Sequence, residues 1–535
     1  MTVPQIGIDL GTTFCCVAYV NEDGKAIVIP NAEGEQTTPS VVRLDARSAV
    51  VGSKAVALKD PATEDHGIFE WVKRSMGKPV EPPPGSYFGQ QLDERDCAPY
   101  QFGGFKYGAA GMSAIILHKL KRDSIKFFKR KELIPENVNE KDVELEAIIT
   151  VPAYFGDKER QETRLAGYAA GLNVTGIINE PTAAALTYGL LKDSAKLMVF
   201  DLGGGTFDVT LLQVKNGDAE VVTSDGHNTL GGRDWDQLIV DFIFSEFKHK
   251  TGRELPAERS WQFLVQKEAL KAKFDLSDDT EAAVMILDEE TSEDVVIKLY
   301  REAPTDMETE FDLDSDPVFY FEQRSTNLLT LCREVCKRVL DRSGWSWRSI
   351  DEILLAGGSC RMPMIPKMIE EMSGRKVRRS VEGFSYDTAI ALGAALYGCH
   401  RSRVRDVVNH SVGVKLKDTT AQQFFIDHLL KKDTQLEAYG ERIYNATPNA
   451  TLTLYEGESD RPDECIPRGR IELGNPAGQV KVKLTANQDG ILRAVAEFEP
   501  DGEKVLEVKN EAFTAGERHK LLRERVQAIR ISDMR

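Results

Sequence analysis

An α/β architecture of two duplicated halves, followed by a β-sandwich and one closing helix, is predicted by three observations. First, the chain writes one sentence twice. Residues 6 to 20 read IGIDLGTTFCCVAYV and residues 197 to 212 read LMVFDLGGGTFDVTLL: an apolar run, Asp-Leu-Gly, Thr with an aromatic residue, then a second β-prone run. Second, up to about residue 400 the β-rich runs alternate with helix-length amphipathic segments. Third, after Gly398 that alternation gives way to short strand-like segments. At 535 residues the chain exceeds the roughly 250–300 at which one hydrophobic core stops growing, so two or three domains are expected.

In chain order, strands are expected at IGIDL, CCVAYV, AIVIP, EAIITV, LMVFDL, VTLLQV and EILLAG, where β-branched and apolar residues cluster. Helices are expected at GMSAIILHKLKRDSIKFFKRK, DKERQETRLAGYAAGL, DWDQLIVDFIFSEFKHKTG and STNLLTLCREVCKRVLDRSG. The second of these opens on Asp157 and closes on Gly171, both suited to helix ends. Beyond the basic stretch HRSRVRDVV come ATLTLYEGE, QVKVKLTANQDGILRAVAEF and KVLEVKN. VKVKLTA and ILRAVAEF, flanking Asp489-Gly490, read as a hairpin. Finally, TAGERHKLLRERVQAIR sets Thr514 and Glu517 three apart, a capping box ahead of a single helix.

With 41% hydrophobic and 29% charged residues the composition is that of an ordinary globular protein. The formal charge of -17 argues against a general binder of nucleic acid or anionic membrane, because no broad basic field is present. A small anionic ligand, held by local amides and one or two cations, remains open. The start MTVPQIGIDL lacks the pattern of a secretory signal, and no apolar run approaches a membrane span. Eight scattered cysteines suit a reducing compartment, so a cytoplasmic location is expected. Cys332 and Cys336 lie four apart with no His or further Cys nearby, and read as one face of a helix.

The repeated turn carries the chemistry. A P-loop would run into a helix and carry Gly-Lys-Ser/Thr, whereas FCCVAYV and FDVTLL are β-prone, so each turn joins two strands. Glycines there let the backbone approach a ligand and aim amides at it, and the Thr hydroxyls add donors for phosphate oxygens. Two such hairpins facing each other would pinch a polyphosphate. Asp9 and Asp201, beside each grip, would repel the phosphates unless a cation lay between. Mg²⁺ suits, since it keeps most of its waters and is held by one or two carboxylates plus phosphate. Either Asp-Gly turn alone would be unremarkable; the pair points to duplicated halves around a nucleotide cleft. A third stretch, EILLAGGSCRMPMI, adds Gly357, Gly358, Ser359 and Arg361 after an apolar strand, either a backbone approach to a nucleoside or an ordinary strand-to-helix turn.

Taken together, GIDLGTTF, TVPAYF, IINEPTAAALTYGL, FDLGGGTFDVTLL, LGGRDWD and LLAGGSCRMPMI resemble the 70-kDa heat-shock (DnaK-type) chaperone family, over most of residues 4 to 400. The likeness continues more weakly through LYEGE and ANQDGIL. The resemblance implies an actin-like (ribonuclease H-like, duplicated) ATPase domain at 1–400, a linker at 401–412, a peptide-binding β-sandwich at 413–511 and a shortened helical lid at 512–535. By position, Gly11, Thr12, Thr13 and Phe14 match the first phosphate hairpin and Gly203, Gly204, Gly205 and Thr206 the second. Lys73 in EWVKRSMGK, beside Arg74 and Gly77, matches the catalytic lysine. Glu180 and Asp201 match the acids that hold the Mg²⁺ waters and position the nucleophile, Asp9 the other metal-side carboxylate, and Thr206 a hydroxyl near the γ-phosphate. Lys273 and Ser277 in KAKFDLS match the nucleoside wall, with Gly358, Ser359, Arg361 and Asp387 opposite. ATP or ADP with Mg²⁺, and K⁺ as a further cation, are the implied cofactors.

Four departures are visible. The family's ribose-binding Glu falls on Leu270, and an Arg falls on Phe274, which can stack on adenine. The leucine-rich linker is replaced by SRVRDVV with Arg403 and Arg405. The Arg that helps engage J-domain partners falls on Gly176, which weakens that contact. The implied function is an ATP-dependent chaperone for unfolded or extended polypeptides, with a J-domain co-chaperone and an exchange factor as further partners. No nucleic acid or membrane partner is expected. The alternatives are a nucleotide-gated interaction module with little hydrolysis, and a small-molecule kinase on the same fold. A short lid is expected to speed peptide exchange, since less surface must open.

Overall fold

Each copy of the repeated turn sits at the end of a hairpin with the same strand environment. The computed structural model describes residues 3–531 apart from 45–47, 58–66, 79–99, 103–104, 190–193, 217, 257, 304–317, 378–384, 401–403, 418–422, 448–449, 474–477, 499–501 and 508–515. Arg403 and Thr514 thus lie outside the described residues. In the first lobe the strand order is Leu172–Asn179, Leu145–Val151, Ile6–Asp9, Phe14–Val20, Ala26–Val28. In the second it is Glu352–Ala356, Ser194–Leu202, Phe207–Lys215, Asp218–His227, Val404–Arg405. In both, the first hairpin strand runs parallel to one neighbour and antiparallel to its own return: Ile6–Asp9 against Leu145–Val151 and Phe14–Val20, Ser194–Leu202 against Glu352–Ala356 and Phe207–Lys215.

These strands are apolar on both faces because helices cover both faces. Ala109–Arg130 and Asp157–Ala169 pack their apolar stripes into the first lobe's core. Gly232–Thr251, Arg259–Asp278 and Thr326–Ser343 do so in the second, where Trp235 is fully buried. Gly252 (φ +72°) and Gly344 (φ +66°) end two of the helices in the left-handed conformation that their place after KHKT and LDRS predicts. Cys332 and Cys336 are buried in that second core as free thiols, the helix-face reading. No helix among the described residues is long and apolar enough to cross a membrane.

Two Ala- and Gly-rich helices, Glu180–Gly189 and Ala389–His400, fill the space between the sheets, with Ala183, Ala184, Ile390 and Ala394 in one core with Leu197 and Leu354. They approach so closely that a Cβ on Gly393 would stand 3.0 Å from the Ala183 Cα, and closer still to its carbonyl. Small residues here let both lobes share a floor.

Two four-stranded sheets follow, ordered Phe424–Leu430, Val412–Lys417, Thr451–Glu456, Ile466–Glu472 and Ala438–Asn445, Gln479–Ala486, Leu492–Phe498, Gly502–Glu507. Val480, Val482, Leu484 and Ala486 alternate inward to meet Val412, Val414, Leu452 and Leu454. The Asp489-Gly490 hairpin is present, with Gly490 at φ +73°. This sandwich is docked on the first lobe. Asp489 accepts the Ile177 backbone N–H (3.1 Å) and pairs with Arg164 (2.7 Å), Asp157 accepts the Leu492 N–H (2.9 Å), and Arg468 pairs with Glu456 and with Glu159 (3.4 Å). The SRVRDVV stretch contributes the strand Val404–Arg405, which adds to the edge of Asp218–His227. The helix Gly516–Ala528 lies against Ala109–Arg130 and Asp157–Ala169, and Val526 enters the first lobe's core. Arg530–Ile531 then pairs with Ser48–Val51.

Gly393→Ala tests the shared floor. Overpacking against backbone predicts a loss of roughly 2 kcal/mol, read as a lowered thermal midpoint; an unchanged midpoint would refute the close crossing.

Candidate active site

The hairpin turns meet tip to tip. A Cβ on Gly204 would overlap the Thr13 hydroxyl, and one on Gly205 would stand 2.6 Å from the Thr12 methyl. Gly11 leaves no room either, because its Cβ would run into the Phe14 carbonyl. The carbonyls of both turns are committed to the protein behind them. Gly11 O accepts from the Ser40 hydroxyl (2.7 Å) and Thr13 O from the Ser40 N–H (2.8 Å). Gly203 O accepts from Gly232 N–H (3.0 Å) and the Ser359 hydroxyl (2.9 Å), and Gly204 O from Arg233 N–H (2.9 Å). The Gly203 N–H closes the second turn onto the Thr206 carbonyl (3.0 Å), so any anion held there would be met by the other turn amides. Thr12 and Thr206 are buried beside them, while Phe14 is about half exposed.

Beneath the tips the charges gather. Lys73, on the short turn Val72–Ser75, is buried and forms an ion pair and hydrogen bond with Glu180 at the start of its helix. Asp9 ends the strand Ile6–Asp9, Asp201 is the last residue but one of Ser194–Leu202, and Asp201 stands opposite Asp208 in the hairpin register. Burial, then the Glu180 charge, pushes Asp9 up to about 7 and Asp208 up to about 8. The same two causes hold Asp201 well above the carboxylate range. For Lys73 burial works against the ammonium, but Glu180 and Asp9 outweigh it and raise its pKa.

Four carboxylates against one ammonium form a donor set suited to a divalent cation. Asp201 Oδ2 adds a specific sign: it is buried without a hydrogen-bond partner. Among the described residues no three acidic, His or Cys side chains are grouped closely enough to ligate one metal directly.

At KAKFDLS, expected on the nucleoside wall, Lys273 pairs with Asp236 (2.6 Å) and donates to the Gly232 carbonyl (3.1 Å). The Ser277 hydroxyl is turned back to the Lys273 carbonyl (2.8 Å), and Phe274 stands half exposed next to them. Opposite, Gly357 (φ +80°) presses on Leu202, Gly358 faces Asp387, and Arg361 pairs with Asp387 while lying over the Tyr386 ring. Lys73, Glu180, Asp201, Thr206 and both glycine turns therefore form one cluster, and Lys273, Ser359, Arg361 and Asp387 flank it. Ser277 is a helical turn away with its hydroxyl spent.

Asp208 and Arg74 were not singled out from the sequence as site residues. Asp208 is a charge inside the otherwise apolar FDVTLL, buried on a strand, a signal that could have been read. Arg74 reaches the second hairpin, donating to Gly205 O (2.8 Å) and Thr229 O (2.6 Å) and pairing with Asp234 (2.7 Å). Nothing in the local pattern announces those partners.

The chain is similar to known proteins along nearly its whole length. The family model described as Hsp70 protein matches residues 5–529. The Chaperone protein DnaK of Thermotoga neapolitana is 31% identical over an alignment covering 98% of this chain and 82% of that protein.

The raised carboxylates make a pH prediction. The folded protein holds these protons up to about pH 7–8, whereas the unfolded chain releases them near 4. Their stabilisation is complete below the unfolded value and is lost as pH rises through the folded one. The thermal midpoint of the ligand-free protein should therefore fall between pH 5 and 8, and Asp208→Asn should flatten that slope. An unaltered slope in the variant would contradict the shift.

Proposed function

The chain belongs to the Hsp70 family, and from that premise we propose that its paired glycine hairpins hold the phosphates of ATP or ADP, as a magnesium complex, between the lobes of an actin-like domain at 1–400. Membership makes the protein an ATP-dependent chaperone, an ATPase whose hydrolysis is coupled to protein folding. The observation that carries the site is the meeting of Gly204 with Thr13 and Gly205 with Thr12 above the Lys73–Glu180 pair.

In this reading Gly11–Thr13 and Gly203–Thr206 grip the phosphates through backbone amides and hydroxyls. Asp9, Glu180 and Asp201 would hold magnesium through its waters, and a bound ion would supply charge neutralisation at the phosphates. Glu180 and Asp201 accept hydrogen bonds from the attacking water. Lys73 turns its ammonium toward the charge that develops on the transferring phosphoryl, and Thr206 donates its hydroxyl to a γ-oxygen. The bond from the γ-phosphorus to the bridging oxygen breaks, leaving ADP and phosphate. Hydrolysis of this kind needs positioning and charge more than covalent chemistry.

The sandwich at 413–511 is the proposed site for extended apolar polypeptide. Phe424, Tyr439 and Ile443 are each more than half exposed on two of its edge strands, Phe424–Leu430 and Ala438–Asn445. Residues 401–412 serve as linker, and the Val404–Arg405 pairing with the second lobe supports a mechanical connection to the ATPase. The helical tail at 512–535 is proposed to act from its seat on the first lobe. A J-domain partner and an exchange factor complete the cycle, the former engaged weakly because Gly176 offers no side chain.

Lys73→Ala should bind magnesium-ATP but lose single-turnover hydrolysis by about a hundredfold or more, along with any stimulation by an apolar peptide. Equal turnover in the variant and the unmodified protein would remove Lys73 from the reaction.

A further inference from the structure

Trp71 has φ +54°, the left-handed region that bulky residues avoid. It directly precedes the Val72–Ser75 turn that carries Lys73. A side chain kept in such a conformation is held there by its surroundings, and these come from across the cleft. The Arg233 guanidinium lies over the Trp71 indole, 4.2 Å from the ring centroid. Arg233 belongs to the second lobe, near the start of Gly232–Thr251, and its backbone N–H donates to the Gly204 carbonyl (2.9 Å).

The turn itself belongs to the first lobe, since Val72 and Met76 are buried in that lobe's core. Yet it is tied to the second at several points: Trp71 to Arg233, and Arg74 to Gly205, Thr229 and Asp234. The lobes also share the helices Glu180–Gly189 and Ala389–His400, a floor that need not break when they part. The contacts made by the Trp71–Arg74 segment must break. Among them the ring stacking is the one that draws a charged side chain of one lobe onto an apolar surface of the other. Burial, then the nearby Arg74, lowers the Arg233 pKa, with Asp234, Glu70 and Asp236 acting against them. A half-buried guanidinium gains more from an aromatic face than a fully exposed one does.

Building on the nucleotide reading above, we propose that the Trp71–Arg233 contact is a strap across the cleft that sets how fast the lobes separate, and hence how long bound nucleotide is retained. Its two members are positioning residues that act through the hairpin and the turn they join, without touching the phosphates.

The test is stopped-flow release of a fluorescent ADP analogue from the full chain with magnesium, chased by unlabelled ADP. Arg233→Ala and Trp71→Ala should each release roughly ten times faster. Trp71→Phe, which keeps an aromatic face, should release close to the unmodified rate. The double alanine variant should be no faster than either single one, because both remove the same contact. Release at the unmodified rate in both single variants, or effects that multiply in the double variant, would overturn the strap. If Trp71→Ala does not fold, Arg233→Ala and Trp71→Phe decide it: fast release in the first and slow release in the second is required. An unmodified protein that takes up no ADP with magnesium would instead refute the nucleotide reading, and the strap with it.

Discussion

Gathering the buried Glu180, Asp201 and Asp208 and the half-buried Asp9 around a single Lys73 is the electrostatic constraint on which the rest of the lobes depends. Charges removed from water are expensive unless paired, and four carboxylates cannot be satisfied by one ammonium. The fold answers by raising the carboxylate pKa values and leaving Asp201 Oδ2 without a partner, which is to say by building a place for an added cation. Every larger feature serves that convergence. Two equivalent strands carry an aspartate at or next to their last residue, their glycine turns touch, and two small-residue helices bring the lobes close enough for it to happen.

The same logic extends to the docked sandwich. Its contacts with the first lobe are mostly charge-assisted and directional: Asp489 on the Ile177 amide and Arg164, Asp157 on the Leu492 amide, Arg468 on Glu159. Contacts of this type depend on directional pairing of charged and polar groups more than on apolar burial. The helix Asp157–Ala169 is common to both ends of the molecule. Its Glu159 meets the sandwich, while its Glu162 accepts the Gly77 backbone N–H (2.8 Å) just beyond the Lys73 turn.

Much of the framework could be read from the residues in order. The twin Asp-Leu-Gly turns, the strands around them and the Asp489-Gly490 hairpin all follow from local periodicity and turn chemistry, which need no knowledge of distant partners. What escaped was long-range. Asp208 becomes part of the charge cluster only through cross-strand register with Asp201. Arg74 and Trp71 acquire their partners only when the lobes close. Lys273, expected on the nucleoside wall, has its ammonium tied to Asp236. The SRVRDVV stretch, read only as a departure from a leucine-rich linker, buries Val404 where it pairs with Asp218–His227 and Val407 where it bridges to Gln435, partners that lie far away in sequence.

The direct measurement is calorimetric titration of ADP into the purified full chain, with excess magnesium and again with a chelator. The carboxylate cluster predicts saturable binding with magnesium and affinity lower by about a hundredfold or more without it, since the phosphates would then lack a counter-ion beside groups that ionise in the same pH range. Equal affinity in both conditions, or no uptake in either, would contradict a cleft built for a magnesium-bound nucleotide.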